Sequence, residues 1–140
     1  MSEFVDTNVL LYAYAEDAAR KQDISVELLR RLTLEREGTL SIQVFSEFYH
    51  NATRKFRMSG ASAEEAIRDF STWRLHRPDH DSILSAIRLE QRFKIAWYDA
   101  MILNSAIETG CSVLWTEDFQ DGQRFGDLVI RNPYKNARAA

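Results

Sequence analysis

Four acids stand where a solvated helix face does not account for them: Asp6, Glu47, Asp99 and Asp118. Asp6 closes the run Glu3-Phe4-Val5, which reads as a short strand. Asp118 follows a second such run, Ser112 to Thr116. In an open parallel sheet, sites form beyond the carboxyl ends of the strands, so a shared sheet brings Asp6 and Asp118 to one edge. Asp99 precedes Ile102, Leu103 and Ala106 at helical spacing. That apolar stripe faces the sheet and points the carboxylate toward the sheet's edge. Glu47 lies opposite the Phe45, Phe48, Tyr49 and Ala52 stripe, on a face with Gln43, Asn51 and Arg54 that is either a cleft wall or simply wet. Singly, each acid has a plain reading: Asp6 and Asp99 as helix caps, Glu47 as a surface residue, Asp118 as a turn residue. Together, four carboxylates converging without Lys or Arg partners repel one another, and a divalent cation is the natural counter-charge. Hard oxygen ligands select Mg2+ or Mn2+ over zinc. Such ions acidify bound water and offset charge growing on a phosphodiester, with Asn8 and Thr116 as the polar groups that position a carboxylate or a water.

The elements that must hold these acids follow from the same sequence. Thr7-Asn8 caps a helix beginning near Val9, and a second helix runs from about Ala18 to Glu37, with Ile24, Leu28, Leu29 and Leu32 in register and Gly38 as its stop. Thr39 to Ile42 reads as a strand and Gln43 to about Arg57 as a helix. Ser62 and Glu65 have the spacing of a capping box, opening a helix to about Leu75. Arg74 to Asp81 is a polar connection containing Pro78, and Asp81 caps a helix bearing Ile83, Leu84, Ile87 and Leu89. The last helix is Tyr98 to Glu108, followed by strands at Ser112–Thr116 and Asp127–Ile130. Strands alternating with helices indicate an α/β fold around a parallel sheet.

Composition limits what the chain can be. Its 140 residues, 45% apolar and 28% charged, suit one globular domain with a core of its own. The single cysteine, Cys111, has no internal partner and suits a reducing compartment; no signal peptide or membrane span is readable, so the expected location is cytoplasmic. Acids outnumber bases 21 to 18, which excludes a uniformly basic coat. Removing the four singled-out acids from the 21 leaves 17 against 18 bases, a near-neutral remainder that can still carry a basic track. Arg54 and Lys55, on or just past the helix of Glu47, are the candidates for a track that carries phosphates toward the acids; a helix end stabilised by its dipole is the plain alternative. His76 and His80 have i, i+4 spacing, but Pro78 between them breaks the helix a metal pair needs, so both read as surface loop residues.

Val5-Asp6-Thr7-Asn8-Val9-Leu10, the Ser46-Glu47 helix, Trp97-Tyr98-Asp99-Ala100-Met101-Ile102 and Leu114-Trp115-Thr116-Glu117-Asp118-Phe119 resemble the four acidic motifs of PIN-domain nucleases in order and spacing. The resemblance covers nearly the whole chain. The compact length and the Thr116-to-Gly122 segment are most similar to the VapC branch, the toxins of toxin–antitoxin pairs. It implies a three-layer α/β fold with a central five-stranded parallel sheet, in one domain over 1–135 with a frayed tail at 136–140. It also implies an endoribonuclease dependent on Mg2+ or Mn2+, with Asp6 and Asp99 as principal metal ligands. Glu47 and Asp118 would complete the acidic pocket, and Asn8 and Thr116 would assist. The fourth acid is either Asp118 or Asp121, two or five places after the threonine, with Asp118 favoured. The implied partners are an RNA substrate, a VapB-like antitoxin and a second copy of the chain. Three rivals stand beside this reading: a phosphatase using Asp6 as nucleophile, disfavoured by Asn8 where a second acid is usual, a PIN nuclease that is not a toxin, and a binding module that kept the fold without the catalysis.

Overall fold

The computed structural model describes residues 1–135; the tail expected at 136–140 lies outside the described residues. Its elements in chain order are β1 (Glu3–Val5), α1 (Thr7–Tyr12), α2 (Ala19–Glu35), β2 (Gly38–Ser41), α3 (Ile42–Arg54) and α4 (Gly60–Arg68). There follow β3 (Arg74–His76), α5 (His80–Phe93), α6 (Trp97–Glu108), β4 (Val113–Trp115), β5 (Arg124–Phe125) and β6 (Leu128–Arg131). The six strands form one sheet in the order β3-β2-β1-β4-β6-β5. All neighbours pair in parallel except β5, which adds antiparallel to β6. The expected five-stranded parallel sheet is therefore present, extended by a two-residue antiparallel edge strand.

The chain moves outward from β1 through β2 to β3, then returns to lay β4 on the other side of β1. The switch point between β1 and β4 opens a crevice at their carboxyl ends, the position where α/β sheets bind ligands. Around it the sheet is dry: Phe4, Val5, Leu40, Leu114 and Ile130 are fully buried, and Phe48, Leu103 and Leu32 cover them from α3, α6 and α2. Each such side chain contributes about 1.5–3 kcal/mol on leaving water, so the sheet that aims the site is also the centre of the core.

Several boundaries differ from those expected. Helix α1 begins at Thr7 because Asp6 itself is the cap, its carboxylate accepting the Thr7 backbone N–H, so Thr7 and Asn8 are in the first turn and do not cap. Helix α4 is capped by Ser59, which accepts from the Ser62 N–H, and ends at Arg68; the expected Ser62–Glu65 box does not form. Helix α5 is capped by Asp79, whose box partner is Ser82, in place of Asp81. In each case the helix starts earlier than the first apolar residue suggests, because an oxygen-bearing side chain upstream takes the free N–H groups.

The expected polar connection contains an edge strand. Arg74, Leu75 and His76 pair with Thr39, Leu40 and Ser41 of β2. His76 is not a loop residue: its Nδ1 lies 2.9 Å from Ser105 Oγ and its Nε2 2.9 Å from Glu108, so α6 holds this strand in place. Gly38, at the start of β2, has a packing reason to be glycine. A Cβ there would stand 2.5 Å from Cδ2 and Cζ3 of Trp73, a ring fixed edge-on to Phe70 and donating its N–H to Thr33. Gly38→Ala is expected to lower stability by about 2–3 kcal/mol through overpacking, measurable as a shifted urea midpoint; an unchanged midpoint would show that Trp73 is free to move.

Candidate metal centre

Four carboxylates line one small cavity at the switch point. The cavity, about 180 Å³, is bounded by Asp6, Asn8, Glu47, Asn51, Asp99 and Asp118, with Thr7, Tyr98 and Ile102 completing the wall. Three parallel-sheet consequences bring them together. Asp6 follows β1 directly, Asp118 lies in the loop after β4, and α3 and α6 both begin at the sheet's carboxyl edge, placing Glu47 in the second turn of one and Asp99 in the first turn of the other. The positive ends of these two helix dipoles face the acids and offset part of their charge.

Asp6 is the fixed point. It is 5% exposed, and its two oxygens accept from the Thr7 N–H and the Thr116 hydroxyl, each at 2.7 Å. Thr116 Oγ1 also accepts the Asp118 backbone N–H at 3.0 Å, so one hydroxyl joins the loop after β1 to the loop after β4. Thr7 donates its hydroxyl to Glu47 at 2.7 Å, and Gln43 donates to the other Glu47 oxygen at 3.3 Å and to the Tyr98 carbonyl at 3.3 Å. The Asn8 amide reaches Asp118 at 3.5 Å. Among the described residues Asp99 has no hydrogen-bond partner, and it is the least committed of the four.

Among the described residues no lysine or arginine is within ion-pair distance of any of these four acids. The electrostatic result is direct. Burial, with Asp118 adding repulsion against the Thr116 and Thr7 hydrogen bonds, pushes Asp6 up to about 7. Asp99 is raised above the usual carboxylate range by burial, then by Asp118 and Glu47. A cluster of hard oxygen donors with excess negative charge and no cation fits a divalent metal. Among the described residues no three His, Cys, Asp or Glu side chains are drawn close enough to hold a bare ion.

The neighbouring acids are placed elsewhere. Asp121 accepts the Asn132 N–H at 2.7 Å and ties the turn before β5 to the end of β6, so it does not line the cavity. Glu117 is neutralised by Lys21 at 2.9 Å and accepts from the Tyr12 hydroxyl. Arg54 and Lys55 are exposed at the end of α3, roughly 10–12 Å along the helix from Glu47 at 1.5 Å per residue. Lys55 lines a separate cavity with Tyr14, Phe56 and Arg57. Sequence reasoning passed over Thr7, although it lies inside the Asp6-Thr7-Asn8 run. It named Asn51 only as sharing a face with Glu47, and Tyr98 only within a motif; the i, i+4 relation of Asn51 to Glu47 was the available signal.

The PIN-domain family model matches residues 4–122 of the chain. None of the curated proteins compared matches it. Among solved structures, Mycobacterium tuberculosis VapC20, described as a sarcin-ricin-loop cleaving toxin, superposes with a TM-score of 0.67 at 21% identity, covering 84% of this chain and 90% of that one. A toxin–antitoxin complex from Klebsiella pneumoniae matches at 20% identity and TM-score 0.66, over 95% of this chain and 98% of that one. VapBC2 of Rickettsia felis, bound to a DNA fragment from its promoter, matches at 17% identity and TM-score 0.68, over 94% and 98%. At these identities the structural likeness speaks for the fold, and the family match spans all four acids: the chain belongs to the PIN-domain family.

Proposed function

We propose that this PIN domain is a divalent-metal-dependent endoribonuclease, the VapC-type toxin of a toxin–antitoxin pair. The observation that carries the reading is the set of four carboxylates, without a cationic side chain, around one cavity at the switch point. In this reading Asp6 and Asp99 are the principal ligands of Mg2+ or Mn2+, and Glu47 and Asp118 complete the acidic wall. A bound cation supplies acidified water and charge neutralisation for the phosphodiester. Thr116 and Thr7 hold Asp6 and Glu47 in fixed orientations, and the Asn8 amide orients Asp118. Asp121 serves the turn. The toxin assignment is supported by the neighbours, which include toxin–antitoxin complexes, and with it come a VapB-like antitoxin and a homodimer as expected partners. No helix among the described residues is long and apolar enough to cross a membrane; the expected location is the cytoplasm.

The purified protein is expected to cut RNA with Mg2+ or Mn2+ and to stop in EDTA. Asp99→Asn, at a side chain with no structural hydrogen bond, should lose cleavage with its melting temperature retained. Cleavage that survives either EDTA or Asp99→Asn would defeat the assigned site. The double substitution of Arg54 and Lys55 by alanine should weaken RNA binding and flatten its salt dependence by about one to two units of slope; unchanged binding would remove this helix end from the RNA path.

A further inference from the structure

A second cavity lies at the other edge of the sheet, at the amino ends of β1, β2 and β3. It encloses about 560 Å³ and is lined by Arg36, Arg74, Ser2, Thr72, Trp73 and Leu32 among others, with no Asp or Glu in its wall. Ser2 and Asp6 are separated by four residues of nearly extended chain, about 13 Å at 3.3 Å per residue, so this cavity is distinct from the acidic one. Among the described residues its two guanidinium groups have no carboxylate within ion-pair distance, Arg74 makes one hydrogen bond, to Ser2 Oγ at 3.4 Å, and the Arg36 side chain makes none. The adjacent acids are already engaged: Glu3 by Arg31 at 3.0 Å and Glu37 by the terminal amine at 2.5 Å. The negative end of the α2 dipole, about half a charge, points this way, but two full positive charges outweigh it.

We propose that this cavity binds a phosphorylated ligand of mononucleotide size. Guanidinium forks match phosphate oxygens bidentately, and two arginines line this one cavity. The Ser2 and Thr72 hydroxyls stand on the same wall as further donors; the Thr33 hydroxyl there is not one, being spent on the Leu29 carbonyl while accepting from Trp73. The volume lies within the range of small-molecule sites, ~300–1,000 Å³, and far exceeds what inorganic phosphate requires. Trp73, 7% exposed, is the apolar surface in the wall that a nucleoside can touch, Leu32 being fully buried. The acidic cavity, by contrast, repels a free phosphate unless a metal intervenes.

The probe is AMP, titrated calorimetrically into the full chain in EDTA, with adenosine and inorganic phosphate as controls. AMP is expected to bind at least tenfold more tightly than either control. The Arg36→Gln, Arg74→Gln double variant should lose at least tenfold in AMP affinity with its melting temperature unchanged, because both side chains are exposed and support no packing. Asp99→Asn should bind AMP as the parent does, which separates this site from the metal centre and from the fate of the nuclease reading. Absence of AMP binding, equal binding by the arginine variant, or adenosine or phosphate binding as tightly as AMP would each overturn the proposal.

Discussion

Asp6→Asn is expected to abolish metal-dependent RNA cleavage while making the metal-free protein more stable at pH 8. The loss of activity should be on the order of a thousandfold, about 4 kcal/mol of transition-state stabilisation, because this carboxylate is the one that both neighbouring loops are built to hold. The gain in stability follows from the cost of ionising Asp6. In the folded chain burial raises it from its ordinary 3.8 to about 7. Well below pH 3.8 the group is protonated in both states and costs nothing. As pH rises toward 7 the unfolded chain ionises first, so folding stability falls, and above 7 the native state carries the full penalty of a buried, unpaired charge. Asparagine removes that charge penalty: its oxygen accepts from the Thr7 N–H and its amide donates to Thr116 Oγ1, at the smaller cost, about 1–3 kcal/mol, of depriving the buried Thr116 hydroxyl of the acceptor it has in Asp6. The variant should melt several degrees above the parent in EDTA at pH 8, the difference shrinking toward pH 4. A lower melting temperature at pH 8 would mean that Asp6 is not strained by its surroundings.

The second large effect is that of the metal itself. A cation competes with protons for Asp6 and Asp99, so Mg2+ or Mn2+ should stabilise the parent more at pH 8 than at pH 5.5, and binding should release protons. At a hundredfold excess over the dissociation constant the added stability is about 2.7 kcal/mol, and it should appear as a higher melting temperature in Mn2+ than in EDTA. The pH dependence is the discriminating measurement. A metal-induced shift of equal size at both pH values would place the ion away from these two carboxylates, whose ionised forms are disfavoured by burial and by Asp118.

What was legible in the sequence was the part carried by residue type and by position relative to a strand end. Asp6 and Asp118 could be placed because a parallel sheet has one active edge, and Asp99 because its helix has a single apolar stripe. Glu47 could not be separated from an ordinary wet face, since its role depends on the Thr7 hydroxyl arriving from a helix forty residues away. Asp118 and Asp121 remained two candidates because spacing does not reveal that the second is taken by the Asn132 N–H. The edge strand Arg74–His76 is three residues long with one aliphatic side chain, too short for alternation to show. His76 was hidden for the same reason: its partners, Ser105 and Glu108, lie on a helix that only the tertiary fold brings over it.

The hydroxyl of Thr116 connects Asp6 to the loop that bears Asp118, across 110 positions of chain. Everything between those two residues must be made before the connection can close, and β4 must then slot in beside β1. A ribosome that has released only the first hundred residues has produced Asp6, Glu47 and Asp99 with β1, β2 and β3, but not β4 or the loop that brings Thr116 and Asp118 to the same edge. The acidic cavity is thus complete only once β4 and the loop after it are in place, however early its first three acids are made.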